Sequence, residues 1–293
     1  MFCRKIGSLD LKLEVVPVES LLLHEKTFPR IVERLILEFK NWANLQNPII
    51  VDEKNVVLDG NHRAFVFKKL KFKYIPVCKT DYFHENVKLR YWFRLLQRID
   101  SVDLLRRIVE DMNGTVQEVR DSETLKKILQ NNHLSCGIQR SSVYAVIRFN
   151  EDVVNDAVSA YNVLERLQDT LMQKGITVKY ISDHRVHEPR FCSELEYGEM
   201  VIWTPHITKE MVIDAAKSGK VFAPRTTRHL IPPRPLNVNV PTGWFKEDIS
   251  LEEINMRFSK FLEGKHLRRF GPGQLIDGRY YGEEVCIFFD RTE

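Results

Sequence analysis

The apolar and polar residues of this chain recur with two different periods, which predict a mixture of strands and helices. Leu11–Val18 alternates apolar and charged residues, a pattern typical of a half-buried strand. Ile31–Leu45, which includes Trp42, instead repeats apolar residues at the spacing of an amphipathic helix. Short apolar runs predict further strands at 48–51, 56–58 and 74–77. The first hundred residues are therefore expected to form an α/β unit.

The rest of the chain continues to mix the two patterns. Apolar spacing predicts helices at 101–112, 122–131, 152–174, 208–216 and 251–262. Strands are predicted at 115–119, 143–149, 176–181, 199–203 and 284–289. The segment Glu85–Ile99, which carries Tyr91, Trp92 and Phe93, is predicted to be a helix.

One stretch combines a strand, a glycine turn and a helix start within ten residues. Asp59 and Gly60 interrupt the apolar run 56–58, and the apolar spacing that follows predicts a helix. A helix N-terminus presents unpaired N–H groups that favour an anion, and His62 and Arg63 would add donors there. The pattern indicates a phosphate-binding turn. It equally fits an ordinary corner in which Asp59 caps the helix and Arg63 is solvated.

Two other segments carry candidate chemistry. Glu25 ends an apolar run, where partial burial would strengthen its carboxylate as a base, although the run by itself favours the start of a loop or a solvated helix. Pro224–His229 places two hydroxyls, two guanidiniums and an imidazole side by side, a donor set suited to an oxyanion or, alternatively, a solvated polar loop.

Composition narrows the class of protein. The 44 basic and 40 acidic residues leave a net charge of +4, too balanced to indicate a nucleic-acid partner. No apolar stretch has the length of a signal peptide core or a membrane span, so a cytoplasmic protein with no membrane partner is expected. The five cysteines are odd in number and widely spaced, which argues against a disulfide framework and a structural zinc site.

Some remaining side chains are weaker candidates. His184, His187, Glu188 and His206 could suggest a metal site, but no metal-binding motif accompanies them. Trp92 is a candidate for lining a substrate pocket, although aromatic residues at such spacing are commonly core. Neither a P-loop nor the protein-kinase motifs occur.

The motifs resemble a known superfamily. Asp59-Gly60-Asn61-His62-Arg63, between the runs 48–51 and 75–77, resembles the ParB/sulfiredoxin-like domain motif. The segment from Glu199 through Arg225–His229 to Pro232 resembles the C-terminal part of the free serine kinases, and Leu23–Glu25 also matches. That family includes an SbnI-like branch, described both as an enzyme and as a regulator.

The resemblance implies a two-lobe α/β (α+β) protein with its active site in the cleft between the lobes. Residues 1–98 would form the nucleotide-binding, ParB/sulfiredoxin-like domain. Residues 99–245 would form a second α/β lobe carrying the Thr-Thr-Arg-His turn. Residues 246–293 show no resemblance, and their role and the oligomeric state are left open.

The implied activity is transfer of the terminal phosphoryl group of ADP or ATP, with Mg²⁺, to free L-serine, giving O-phospho-L-serine. Glu25 would be the general base, while Asp59 would help hold Mg²⁺ or the hydroxyl, with His62 also in the catalytic set. Phosphate ligands would be Gly60, Asn61, His62, Arg63, Thr226, Thr227, Arg228 and His229. The alternative is a ParB-like regulator that binds DNA or nucleotide without turnover. Whether the pathway is that of cysteine, of a siderophore or another stays open.

Asn61 separates this chain from two relatives in the superfamily. The archaeal kinase motif has His at this position, so an imidazole role there is absent, although Asn still donates a hydrogen bond. Sulfiredoxins need Cys between the Gly and the His, and position 61 has none. A sulfinic-acid reductase is therefore not expected.

Overall fold

The computed structural model describes residues 1–6, 9–41, 44–99, 101–183, 191, 195 and 197–291. The chain divides into two compact units. The first comprises 1–88, 216–219 and 229–293, and the second comprises 89–215 and 220–228. Both units mix helices and sheets, so the predicted mixed α/β class is confirmed. The C-terminal residues, which the sequence left without a role, group with the first unit.

The first unit is built on a sheet with the strand order β1-β2-β6-β4-β5. These strands are β1 (Phe2–Ile6), β2 (Leu9–Pro17), β4 (Ile49–Asp52), β5 (Val57–Asp59) and β6 (Tyr74–Thr80). Helices α1 (Pro29–Asn41) and α2 (Asn61–Lys69) lie between them in sequence, with β3 (Asn44–Leu45) and a 3₁₀ turn at Val18–Ser20. β4 runs parallel to β6 and antiparallel to β5. The sheet thereby places the end of β5 directly before α2.

The C-terminal part of the first unit adds small sheets and one helix. β13 (Thr227–Leu230) begins in the second unit and ends in the first. The elements that follow it are β14 (Arg234–Leu236), β15 (Val240–Pro241), a 3₁₀ turn at Thr242–Lys246, α7 (Leu251–Glu263), β16 (Lys265–Phe270), β17 (Gln274–Ile276), β18 (Arg279–Tyr281) and β19 (Val285–Asp290). β19 pairs with β14 in parallel and with β16 in antiparallel fashion.

Helix α7 is fixed to the main sheet of the first unit by one side chain. Asn255 accepts a hydrogen bond from the Val15 N–H and donates one to the Val15 carbonyl, each at 2.9 Å. Ser250 caps the start of the helix, and Ile254, Phe258 and Leu262 are buried. The predicted helix 251–262 is confirmed, and it belongs to the core of the first unit.

The second unit contains a sheet with the order β11-β7-β12-β9-β10-β8. Its strands are β7 (Lys88–Gln97), β8 (Gly114–Val119), β9 (Cys136–Arg140), β10 (Val143–Phe149), β11 (Thr177–Ser182) and β12 (Glu199–Trp203). Its helices are α3 (Val102–Asp111), α4 (Ser122–Asn131), α5 (Ala157–Gln173) and α6 (Lys209–Lys217). Gly175 follows α5 with φ of +83°, as expected for the glycine that ends it.

The helix predicted at Glu85–Ile99 is wrong, because most of this segment forms β7. Tyr91, Phe93 and Leu95, at every second position, pack in one hydrophobic cluster with Trp203. β11 and β12 pair with the two edges of β7. Its aromatic residues suit a strand, and pairing on both sides decides the structure over any helical spacing.

Several sequence-based expectations concern residues that the structure does not describe. His184, His187 and Glu188 of the weak metal candidate lie outside the described residues, as do Trp42 and Cys192. Among the described residues, Cys3, Cys78, Cys136 and Cys286 are free thiols. None of the helices described is long and apolar enough to cross a membrane.

Candidate functional site

The turn between β5 and α2 depends on Gly60. This residue has φ of +99° and occupies the N-cap position of α2. A Cβ atom there would lie 2.6 Å from Cγ2 of Ile49 and 2.9 Å from Arg63 Nη2. Only glycine suits both this backbone conformation and this close packing. No side chain caps α2, so its first N–H groups keep their capacity to bind an anion.

Asn61, the first residue of α2, is buried with an unsatisfied amide. Its side-chain Oδ1 has no hydrogen-bond partner among the described residues. A buried amide atom without a partner is costly, and the oxygen and nitrogen of the group exchange places by rotation. Asn61 therefore has spare hydrogen-bonding capacity at the helix start, where a ligand would be expected.

Asp59 and Arg63 form an ion pair across the turn, with 3.2 Å between Arg63 Nη2 and Asp59 Oδ2. The other Arg63 terminal nitrogen donates to the carbonyls of Asn47 and Pro48. Asp59 does not cap the helix and Arg63 is not solvated, so the ordinary-corner alternative is wrong. Arg63 instead ties the helix start to the segment before β4.

A second guanidinium, that of Arg234, also contacts Asp59. Arg234 Nη1 lies 3.1 Å from Asp59 Oδ2, and its Nε donates to Glu283 Oε1 at 2.6 Å. Burial alone would raise the pKa of Asp59, but the guanidiniums of Arg234, Arg279 and Arg63 hold it well below its usual range. Asp59 is therefore a fully ionised, doubly paired carboxylate.

The loop that carries Glu25 is fixed to β5. Leu22 donates its N–H to the Asn55 carbonyl at 3.0 Å and accepts one from Val57 at 2.9 Å. The side chain of Glu25 is 11% exposed, and its Oε1 lies 3.8 Å from Nε2 of the fully buried His24. Burial lowers the pKa of His24, against the opposing effect of Glu25 itself. Glu25 is thus a nearly buried carboxylate beside a neutral imidazole.

His62 joins this loop to helix α2. The Phe28 N–H donates to His62 Nε2 at 3.0 Å, and the two rings stack with 15° between their planes. Nε2 must be unprotonated to accept this bond, so the imidazole is neutral in this arrangement. The contact links the second residue of α2 to the backbone three residues after Glu25.

The ring of His229 packs against two other buried rings, those of His24 and Tyr82. Its Nε2 is 2.7 Å from the Tyr82 hydroxyl, and its ring meets that of His24 edge-on, 5.8 Å between centroids. Burial and the neighbouring His24 lower the pKa of His229 to about 3. His229 is therefore neutral and packed against Tyr82, a setting that differs from a charged phosphate ligand.

The remaining predicted residues lie in the second unit, and they are not a solvated loop. Thr226 is fully buried and its hydroxyl donates to the Ala223 carbonyl at 2.7 Å, while Thr227 is buried in β13. Arg228 pairs with Asp183 at 3.7 Å and lies 5.8 Å from the Trp92 ring centroid. Arg225 stacks on the same ring at 5.1 Å. Trp92 thus supports two guanidiniums.

The first unit therefore brings together most of the predicted site. It places Glu25, Asp59, Gly60, Asn61, His62, Arg63 and His229 around β5 and the start of α2. Thr226, Thr227, Arg228 and Trp92 belong to the second unit. The contacts that the sequence analysis missed are those of His24, Tyr82, Arg234 and Glu283. In the sequence, the stiff Pro-Pro-Arg-Pro segment around Arg234 is the one feature that could have indicated these contacts.

The described part of the chain does not form a metal site by itself. The described residues hold no group of three or more His, Cys, Asp or Glu side chains suited to a metal ion. Asp59, the predicted Mg²⁺ ligand, is already paired with two guanidiniums. Mg²⁺ is commonly held by one or two carboxylates plus substrate phosphates, so a nucleotide would have to bring most of its ligands.

Comparisons with known proteins agree with this arrangement of motifs. The ATP-dependent L-serine kinase of Staphylothermus marinus is 25% identical over 241 residues, covering 79% of this chain and 90% of the relative. The ADP-dependent L-serine kinase SerK of Thermococcus kodakarensis is 20% identical, covering 82% and 91%. A free serine kinase variant in complex with AMP superposes with a TM-score of 0.65 at 20% identity, covering 80% and 94%. No protein-family model matches the chain.

These similarities extend over most of the chain and nearly all of each relative, so they concern the whole arrangement rather than one motif. The resemblance indicated by the short motifs at 23–25, 59–63 and 225–229 is confirmed. The chain is a homologue of proteins named L-serine kinases and has the fold of the free serine kinases.

Proposed function

We propose that this protein is a free L-serine kinase, which transfers the terminal phosphoryl group of ADP or ATP to the serine hydroxyl and releases O-phospho-L-serine. The observation that carries the proposal is the setting of Glu25. Its carboxylate is nearly buried, has neutral His24 beside it, and is tied through Phe28 and His62 to the uncapped start of α2. The proposed base, Glu25, and the proposed anion site at the start of α2 are thus linked by one hydrogen bond between Phe28 and His62.

In the proposed reaction, Glu25 accepts the proton of the serine hydroxyl as the serine oxygen attacks the terminal phosphorus. The bond from that phosphorus to its bridging oxygen breaks, which leaves AMP from ADP or ADP from ATP. Phosphoryl transfer needs mainly positioning and charge stabilisation. Glu25 suits this role by position, because its nearly buried carboxylate lies beside the buried imidazole of His24.

The phosphates would be bound at the start of α2. Gly60 brings the backbone close, the first N–H groups of α2 are uncapped, and Asn61 has an unsatisfied buried amide. Asp59 and Arg63 would maintain the shape of this turn, because their charged groups already bind protein partners. Mg²⁺ would enter with the nucleotide as its usual complex.

The second unit supplies a further proposed set of anion ligands. Arg225 and Arg228 both lie over Trp92, which orients their guanidiniums. We include Arg228 and Thr227 among the proposed phosphate ligands. Thr226 would contribute its backbone, since its hydroxyl already donates to Ala223.

The test is to incubate the protein with L-serine, Mg²⁺ and either ADP or ATP, and to measure phosphoserine by mass spectrometry. We expect phosphoserine with at least one nucleotide, and the matched nucleotide product in equal amount. D-serine and L-alanine serve as controls for the acceptor. Nucleotide binding without phosphoserine would favour the regulator alternative. Salt-sensitive DNA binding without any response to serine would point to a ParB-like DNA-binding role.

A further inference from the structure

Four charged side chains of the first unit form a chain of alternating sign that ends at the proposed phosphate site. Glu283 contacts Arg234 at 2.6 Å, Arg234 contacts Asp59 at 3.1 Å, and Asp59 contacts Arg63 at 3.2 Å. Two carboxylates and two guanidiniums balance one another, so the row as a whole carries no net charge. We refer to these four residues as the charge row.

The far end of the charge row is rigidly held. Arg234 and Glu283 are buried, with side chains 3% and 5% exposed. The Arg234 N–H donates to the Glu284 carbonyl at 3.0 Å, and its Nη2 donates to the His229 carbonyl at 3.1 Å. Leu236 and Tyr281 pack together in one buried cluster beside this contact. The guanidinium of Arg234 is therefore fixed before it meets Asp59.

The near end of the charge row is the turn itself. Asp59 precedes Gly60, whose left-handed conformation starts α2, and Arg63 ties the first turn of α2 to the carbonyls of Asn47 and Pro48. Arg63 and Asp59 form a local i,i+4 pair with partly exposed side chains, and such a pair is weak alone. Arg234 supplies the buried, charge-assisted contact that a weak local pair lacks.

We propose that the turn between β18 and β19, through Glu283, forms a working part of the phosphate site. Glu283 is a positioning residue that acts through Arg234 to hold Asp59 and the start of α2. The identity of the ligand rests on the proposed serine kinase function, whereas the positioning of the turn does not. This assigns a role to part of the C-terminal residues for which the sequence offered none.

The test replaces the buried pair by apolar residues of similar size, in the double variant R234M/E283M. Replacing both partners avoids leaving one charge buried and unpaired, so the fold should persist. The matched control is R269M/E284M, because Glu284 is the next residue along the chain and its pair with Arg269 lies at the surface. Hydrogen exchange of residues 64–66, whose N–H groups are the first in α2 to be hydrogen-bonded, and the affinity for ADP are measured in both.

We expect the amides of 64–66 to exchange at least about tenfold faster in R234M/E283M, while those of β2 keep their rate. ADP affinity should fall by about tenfold or more, the scale expected for a misplaced binding group. The control variant should match the wild type in both measurements. Unchanged exchange at 64–66 in a folded R234M/E283M would overturn the proposal.

Two additions keep the result interpretable. If R234M/E283M does not fold, R234K gives the same comparison, since it keeps the charge but loses the fork that bridges Glu283 and Asp59. Faster exchange at 64–66 supports the charge row even if the wild type makes no phosphoserine. In that case the proposed kinase function alone fails, and the two proposals are distinguished.

Discussion

Two carboxylates of the first unit, those of Asp59 and Glu25, have different neighbours. Asp59 is paired with two guanidiniums, at 3.1 and 3.2 Å. Glu25 has the buried imidazole of His24 beside it, at 3.8 Å. A carboxylate that is already paired with cations is a poor proton acceptor, because the cations favour its charged form. We therefore propose that Asp59 maintains the shape of the turn and that Glu25 accepts the proton.

The largest effect is expected for Glu25→Gln, which keeps the size of the side chain and removes its basicity. Turnover should fall by about a hundredfold to ten-thousandfold, the range for loss of a general base. ADP affinity and unfolding free energy should stay close to those of the wild type. Steady-state kinetics of phosphoserine formation, with binding measured by calorimetry, test this.

Glu19→Gln is the control for Glu25→Gln. Glu19 is an exposed carboxylate shortly before Glu25 in the chain, and its partner Lys68 is also at the surface. Its substitution should leave turnover unchanged. Normal turnover in Glu25→Gln would show that Glu25 is not the base. The different neighbours of Asp59 and Glu25 would then have no consequence for catalysis.

Asp59→Asn should lower the free energy of unfolding, which Glu25→Gln should leave unchanged. The variant leaves Arg234 buried with one counter-ion fewer, and breaking such a pair costs about 3 kcal/mol. Because the folded-state pKa of Asp59 lies below its unfolded value, its contribution is present above about pH 4 and is lost in stronger acid. Urea unfolding at pH 7 measures the loss.

The control for Asp59→Asn is Asp248→Asn, whose fully exposed carboxylate pairs with Lys73 at the surface. We expect no measurable change in its unfolding free energy. If Asp59→Asn unfolded at the same urea concentration as this control, Asp59 would not have the structural role that separates it from Glu25.

The buried imidazole of His229 predicts a dependence of stability on pH. The pKa of His229 falls from 6.5 in the unfolded chain to about 3 in the fold. The unfolded chain therefore binds the extra proton between these values, and stability falls as the pH drops through this window. At pH 5 the loss due to His229 is about 2 kcal/mol relative to pH 7.5.

His229→Asn should weaken this dependence, whereas His266→Asn, at an exposed position of β16, should retain it. Unfolding free energies of the three proteins at pH 7.5 and pH 5 provide the comparison. Equal losses in His229→Asn and the wild type would mean that His229 is not the group that disfavours acid.

The smallest effect is expected for His62→Ala, which releases Phe28 from helix α2. Turnover should fall by about tenfold, because the loop of Glu25 loses one tether but keeps its contacts with Asn55 and Val57. His62→Gln can still accept from the Phe28 N–H and should recover part of the loss. If His62→Gln were as slow as His62→Ala, the imidazole would have a role other than this hydrogen bond.

The sequence identified those parts of the site that depend on local chemistry. A strand, a glycine and a helix start at 57–63 follow from neighbouring residues, and so does the burial of Glu25 at the end of an apolar run. The contacts of Asp59 with Arg234 and of Tyr82 with His229 join residues far apart in sequence. No local pattern encodes such contacts, because they depend on which strands pair.

The error at β7 has the same physical origin. The run from Leu89 to Leu96 is apolar or aromatic at six of its eight positions, and such a run fits a helix or a strand equally well. Its pairing with β11 and β12 decides the matter, and both partners lie much later in the chain. The elements with a clear period and a capping residue, such as α4 and α7, were predicted almost to the residue.

The charge row also has a consequence for the order in which the chain matures. Asp59 and Arg63 leave the ribosome before Arg234, and Glu283 follows 220 residues after Arg63. Domains tend to form from the N-terminus during synthesis. The turn at Gly60 would therefore form before the contacts that hold it, so a nascent chain that lacks residue 283 would carry the turn without the last of them.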